Sequence, residues 1–359
     1  MTHFQKKPTA LLATAACLVT TCGAGLALAP PASATKSGSG ASTGTGSVFK
    51  VNPVQSSGDE SLTDQKDSAT AVPAAQYATV QLRNLDGSGN LVGRWANVRT
   101  STGPLAYSAT NTFVYRRDDD RFEQVMAYFW VNQAQEYLQS LGFGSTLRPV
   151  NAESQDVRID QYGIYNSYST SKGDFLRFGK GGVDDAEDGE VIVHEYGHAV
   201  HDSQVPGFGS SLDAGSIGEA FGDYLAVTVG LDAADQYGWP VRTPAPCVAD
   251  WDSISYTSTV PHCLRRLDTG RVLEDRRGEV HFDGTIWSAA LWDIRQRYVT
   301  LGFTTRDWDR TLIDSQFDYA PDTSFSDAAK ATYDKALADQ GPAAAKAVKD
   351  AFAARHIYF

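Results

Sequence analysis

The stretch Glu187–Gln204, EDGEVIVHEYGHAVHDSQ, sets two histidines and a glutamate inside an apolar run. Burying three polar side chains so close together is costly unless each finds a partner. This segment therefore constrains the fold more than any other. His194 and His198 are four residues apart, so on a helix they share one face, one turn above the other. Both imidazoles can then reach one cation. Glu195 sits roughly 60° around the helix from His198 and flanks the ion without having to bind it. This H-E-x-x-H arrangement is the zinc metalloprotease pattern. A catalytic zinc takes three protein ligands and keeps one position open, so a carboxylate or histidine on another element is required. His201, two turns beyond His194 on much the same side, reads as a surface or outer-sphere residue.

One zinc class can be set aside. H-E-x-x-H-x-x-G-x-x-H needs glycine where His201 stands and histidine where Gln204 stands. It also needs a downstream methionine turn, and Met1 and Met126 both lie upstream. A second candidate helix, GSIGEAFGDYLA, carries Glu219 twenty-one residues after His198, with Asp223 one turn further on the same face. Here the chain resembles the gluzincin metallopeptidases, thermolysin-like and fungalysin-like, and is nearest to the fungalysin-like branch and its bacterial relatives. The resemblance runs from roughly Arg117 to Phe359 and is strongest at the two zinc-type helices. It implies that Glu219 is the third zinc ligand and that Asp223 holds the imidazole of His194, a role metal-binding histidines generally need filled. It also implies a transition-state histidine, His281 in EVHFDGTIWSAALWDI, with either Asp275 or Glu279 orienting its other nitrogen. Asn166 in YNSYST matches the edge segment that holds the substrate main chain.

The run Asp184, Asp185, Glu187, Asp188, Glu190 has three readings: a solvated acidic loop, charge favourable at a helix N-terminus, or part of a calcium site. Gly230 stands where the resemblance would put a partner acid, which counts against Ca2+. One catalytic Zn2+ is the expected cofactor. Proteins or peptides are the expected substrates, cut internally, since the G-x-M-E-N segment of gluzincin aminopeptidases is missing. The rival from another class is a zinc-stabilised binding module without activity; Glu195 would have no task in it.

The N-terminus reads as an export signal over residues 1–34. Lys6 and Lys7 precede an Ala/Leu-rich stretch, and Ala32-Ser33-Ala34 offers a cleavage site. Its removal takes away two lysines and no acid, moving the formal charge from −12 to −14. Phosphate backbones would repel so acidic a chain, so nucleic acid is not an expected partner. No membrane association of the mature form is expected, and a secreted, extracellular monomer is. Of four cysteines, Cys247 and Cys263 remain, and outside the cell they read as one disulfide, worth about 3 kcal/mol in the chain-entropy model.

Residues 35–75, Gly/Ser/Thr-rich and then polar, read as a flexible linker or short pro-segment. Residues 76–205 are expected to form an α+β lobe ending in the H-E-x-x-H helix, and 206–359 a helical lobe. YATVQLRNL and LVGRWANV around DGSGN give a hairpin signal. DRFEQVMAYFWVNQAQEYLQSLGF reads as a helix stopped at Gly142, and four further helices follow. Strands first and helices last indicate an α+β protein. The resemblance implies a two-lobed thermolysin-like catalytic fold, a β-rich N-terminal lobe and a mainly helical C-terminal lobe with the zinc-site helix between them.

Overall fold

The computed structural model describes residues 42–100, 103–160, 166–170 and 175–359; the expected leader, residues 1–34, lies outside them. The first half carries β1 (Ser42–Phe49), α1 (Pro53–Ser57), β2 (Tyr77–Leu85), β3 (Ala96–Thr100), β4 (Thr112–Phe113) and α2 (Arg121–Ser140). Then come β5 (Gln155–Arg158), β6 (Tyr168–Thr170), β7 (Phe175–Arg177) and α3 (Gly189–Gln204). The second half holds α4 (Leu212–Tyr237), β8 (Cys247–Val248), β9 (Arg265–Arg266), α5 (Val280–Thr300), α6 (Thr305–Ser315), α7 (Phe325–Gln340) and α8 (Pro342–Ala353). The α+β class read from the sequence is thus the observed one.

Two sheets frame the first half, one in the order β2-β1-β4 and one in the order β3-β5-β7-β6. Helix α2 packs against strands of both. It is buried nearly all round, with Phe122, Val125, Met126 and Trp130 fully covered and Glu123, Gln124, Asn132 and Gln135 buried beside them. Its stop falls at Gly142, whose φ of 108° a side chain would resist. The second half is a helical stack in which α4, α5 and α8 pack in succession, with Pro342 opening α8.

Residues 42–75 depart from the expected linker. Strand β1 is the middle strand of its sheet, antiparallel to β2 and parallel to β4. Its glycines do not mark flexibility; they let the backbone approach its neighbours. A Cβ on Gly46 would lie 2.7 Å from Val125 Cγ1. Val48, Phe49, Val51 and Val54 then enter the core. Asn52, which caps α1 by accepting from the Gln55 backbone N–H, also donates to Asp188 Oδ1 at 3.4 Å. Gln55 Nε2 donates to Glu190 Oε1 at 3.0 Å. The segment thereby buttresses the entry to α3. The expected hairpin is confined to its tip: Leu85 pairs antiparallel with Gly93, and β2 and β3 then part into different sheets.

One buried ion pair ties three distant parts of the chain together. The Arg117 guanidinium donates from Nε and Nη2 to the Glu187 carboxylate at 2.9 and 2.7 Å, and from Nη2 to Asp64 Oδ1 at 2.6 Å. Arg117 and Glu187 are 1% and 0% exposed. Removing one partner strands a buried charge. Arg117→Met is expected to lower the unfolding free energy by about 3–5 kcal/mol. The double variant Arg117→Met/Glu187→Leu should recover most of that loss. Urea denaturation checks both, and a double variant no better than the single one would contradict this account.

Candidate metal and catalytic site

Helix α3 begins at Asp188, whose side chain accepts from the Glu190 backbone N–H at 2.9 Å. Helix α4 begins at Ser211, which accepts from Ala214 N at 3.1 Å. The two helices pack face to face where glycine meets glycine. A Cβ on Gly197 would lie 3.0 Å from the Gly222 Cα. One on Gly222 would lie 2.8 Å from His194 Nδ1 and 3.0 Å from the His194 carbonyl oxygen. That close approach brings Glu219 of α4 to the two histidines of α3.

The Nε2 atoms of His194 and His198 stand 3.3 and 3.6 Å from Glu219 Oε2 and Oε1. The three ligand-type atoms lie within 4.8 Å of one another. Glu219 Oε2 has no hydrogen-bond partner despite facing imidazole nitrogens. Two nitrogens and one carboxylate around an unmatched buried oxygen form the donor set of a catalytic zinc centre, so these residues fit the expected ion. His194 Nδ1 is 2.9 Å from Asp223 Oδ1, which turns its Nε2 toward Glu219. Asp223 is in turn gripped by Arg265, whose Nε and Nη2 donate at 2.6 and 2.7 Å. Burial works against the Asp223 charge, yet Arg265 and His194 hold its carboxyl at about 2.

The other titrations follow from the same surroundings. Burial alone would push Glu219 up, but the imidazoles of His198, His194 and His281 hold it well below the usual carboxylate range. Burial would lower His194, and the neighbouring carboxylates of Asp223 and Glu219 raise it instead to about 10. His198, without such a bond, falls to about 4 through burial. Glu195, 6% exposed and with Oε2 unpartnered, is pushed up to about 7 chiefly by burial.

His281 lies in the first turn of α5, its Nε2 3.2 Å from Glu219 Oε2 and its Nδ1 2.6 Å from Glu279 Oε1. Of the two acids left open in the sequence, Glu279 is therefore the one in place; it also caps α5 by accepting from the backbone N–H groups of His281 and Phe282. Asn166 stands two residues before β6, the edge strand of its sheet. Asn166, Glu195, His198, Glu219 and His281 line one cavity of about 410 Å³. Cys247 and Cys263 are bonded, with Cα atoms 5.1 Å apart. The bridge anchors the segment that leads into Arg265.

The acidic run and His201 sit differently from the sequence reading. The acidic run is not a solvated loop: Asp184, Asp185, Glu187, Asp188 and Glu190 are 0–3% exposed. Asp184 pairs with Lys180, four residues before it, while Arg117, the Ala249 amide and the Gln55 side-chain amide, all from remote segments, meet Glu187 and Glu190. His201 is not at the surface either. It is 1% exposed, its ring between those of Phe208 and Phe221 at 4.3 and 4.4 Å. Arg265 was not singled out in the sequence, where RRL just after Cys263 carries no distinguishing pattern.

With this geometry in place, the comparisons with known proteins can be set beside it. Residues 179–341 match the family model described as Fungalysin metallopeptidase (M36). A search of the curated proteins finds no match. Among solved structures, the precursor of protealysin, a metalloproteinase from Serratia proteamaculans, superposes with a TM-score of 0.56. It is 14% identical, and the match covers 75% of this chain and 88% of that one. In fold, and in the segment that the family model matches, the chain is similar to the thermolysin-like metallopeptidases. Within that class, the segment bearing both zinc-type helices is similar to the fungalysin metallopeptidases.

Gly222→Ala is expected to force the helices apart and weaken zinc retention by about 10–100-fold, the range seen when a metal ligand loses its support. Competition against a chromogenic chelator measures it, and unchanged affinity would contradict the close-packing argument. His201 makes a pH prediction. Burial lowers its folded pKa well below the ordinary value of about 6.5. The unfolded state then binds the proton more readily, so the stability is complete above that value and is lost as pH falls below it. His201→Phe should flatten the decline of melting temperature on acidification below about pH 6.5. A parallel decline in both proteins would count against it.

Proposed function

We propose that this chain is a secreted, zinc-dependent endopeptidase. The observation that carries the reading is the convergence of His194, His198 and Glu219 from two helices beside the buried carboxylate of Glu195. His194, His198 and Glu219 would hold the ion. Bound zinc supplies a water of lowered pKa and polarises a carbonyl oxygen. Glu195 is placed to take the proton of the attacking water and to pass it to the leaving amine. A carboxyl raised to about 7 is suited to both transfers near neutral pH.

His281 would donate from Nε2 to the developing oxyanion. Glu279, at 2.6 Å from Nδ1, would hold the ring in that orientation. Asp223 keeps the imidazole of His194 oriented, and Arg265 keeps Asp223 ionised. The free edge of β6 suits an extended peptide added as a further strand, with Asn166 at its start to hold the substrate main chain.

Export is the compartment that accords with the leader-like residues 1–34 and with a Cys247–Cys263 bridge. Among the described residues, no helix is long and apolar enough to cross a membrane.

Glu195→Gln is expected to retain one zinc by elemental analysis and to lose about 10²–10⁴-fold in casein turnover. Phenanthroline should abolish the wild-type activity. Full turnover by the variant would remove Glu195 from the mechanism. A pure wild-type protein that holds zinc but clears no protein substrate would favour the binding module instead.

A further inference from the structure

The catalytic cavity continues beyond the ligand triad. A second cavity of about 240 Å³ shares Asn166, His194, Glu195 and His281 with it. That is below the roughly 300–1,000 Å³ of sites that take a whole small molecule, and is a space for one side chain. Part of its wall is aliphatic, from Val191, Val248 and Leu264. Another part is acidic, from Asp185, Glu190 and Asp252, which are 3%, 1% and 4% exposed.

These acids differ in how they are satisfied. Glu190 accepts from the Ala249 backbone N–H at 2.7 Å and from Gln55. Asp185 uses Oδ2 on the Ser167 hydroxyl and the Gly179 N–H, and its buried Oδ1 has no hydrogen-bond partner. Asp252 Oδ1 is likewise buried without one. Among the described residues lining the cavity, the one arginine or lysine is Arg265, and its guanidinium is spent on Asp223 through two bonds. Burial, with negative neighbours adding to it, holds both aspartates above the usual range, Asp185 at about 7. A positive group entering the cavity would relieve that. A cavity with an aliphatic wall and two under-coordinated carboxylates matches a long hydrocarbon stem ending in a cation. Pairing that cation with carboxylates supplies the stronger, charge-assisted kind of hydrogen bond.

We propose that this second cavity receives the side chain of the substrate residue flanking the scissile bond, and that it selects lysine or arginine there through Asp185 and Asp252. The stem lies against Val191, Val248 and Leu264, and the charged head lies between the two aspartates. The chain's formal charge of −12 adds a long-range attraction for basic peptides. The inference rests on the peptidase reading above.

The test digests a denatured protein mixture with the zinc-loaded enzyme, in calcium-containing buffer, and reads the new termini. Lysine and arginine should dominate one of the two positions next to the cut. Asp252→Asn and Asp185→Asn should each reduce the ratio of kcat/KM for a lysine peptide over its leucine counterpart by about 10-fold or more, as expected when one partner of a buried charge pair is removed. Circular dichroism confirms that the variants fold, and the wild-type termini decide the matter even if they do not. Leucine or phenylalanine beside the cut in the wild type, or ratios unchanged in folded variants, overturns the specificity while leaving the peptidase intact. An absence of any new termini overturns both.

Discussion

The close passage of α3 over α4 at Gly197 and Gly222 is the constraint on which the site depends. With no side chain at either position, the His194 backbone comes within van der Waals range of the facing helix. Glu219, one turn before Asp223, then reaches both imidazoles from the opposite side. Close-packed interiors yield little to an added methyl group, so the ligand spacing follows from two missing Cβ atoms. Asp223 lies on the same helix and orients His194, so one rigid element supplies both a ligand and the group that supports another.

Buried charge is the other organising theme. Arg117 joins Asp64 to Glu187 just ahead of α3, and Arg265 joins Asp223 to the loop closed by the disulfide. Such pairs add little net stability over apolar residues of the same volume, but they specify geometry. Each draws a segment remote in the chain to one end of the zinc-type helix or to its supporting aspartate. The two aspartates of the second cavity lack a counterpart of this kind. The contrast with the satisfied Glu187 and Asp223 is what separates a structural acid from one available to a ligand.

Much of the site was legible because its chemistry is written at helical spacing. His194, Glu195 and His198 fall on one turn of one helix, and Glu219 with Asp223 on one turn of another, so periodicity alone predicts their common faces. The apolar helices α2, α4, α5, α7 and α8 announced themselves in the same way. The N-terminal segment misled for a definite reason. Glycine and serine signal flexibility when nothing packs on them, and Gly46 is there because Val125 and Leu82 do. The acidic run misled likewise, since its partners Arg117, Asn52, Gln55 and the Ala249 amide are separated from it by more than fifty residues.

The amino-acid sequence by itself determined which side chains share a helical face, where the helices begin and end, and the ligand types of a zinc centre. Those properties depend on residues within a turn or two of one another. Only the tertiary structure decided that α3 and α4 touch at their glycines, that Glu279 rather than Asp275 attends His281, and that Arg265 serves Asp223. It also decided that, among the described residues, Asp185 and Asp252 line a cavity without a lysine or arginine bonded to either. Each of these depends on which distant backbone happens to lie alongside, and a contact across long stretches of chain leaves no periodic trace in the order of the residues.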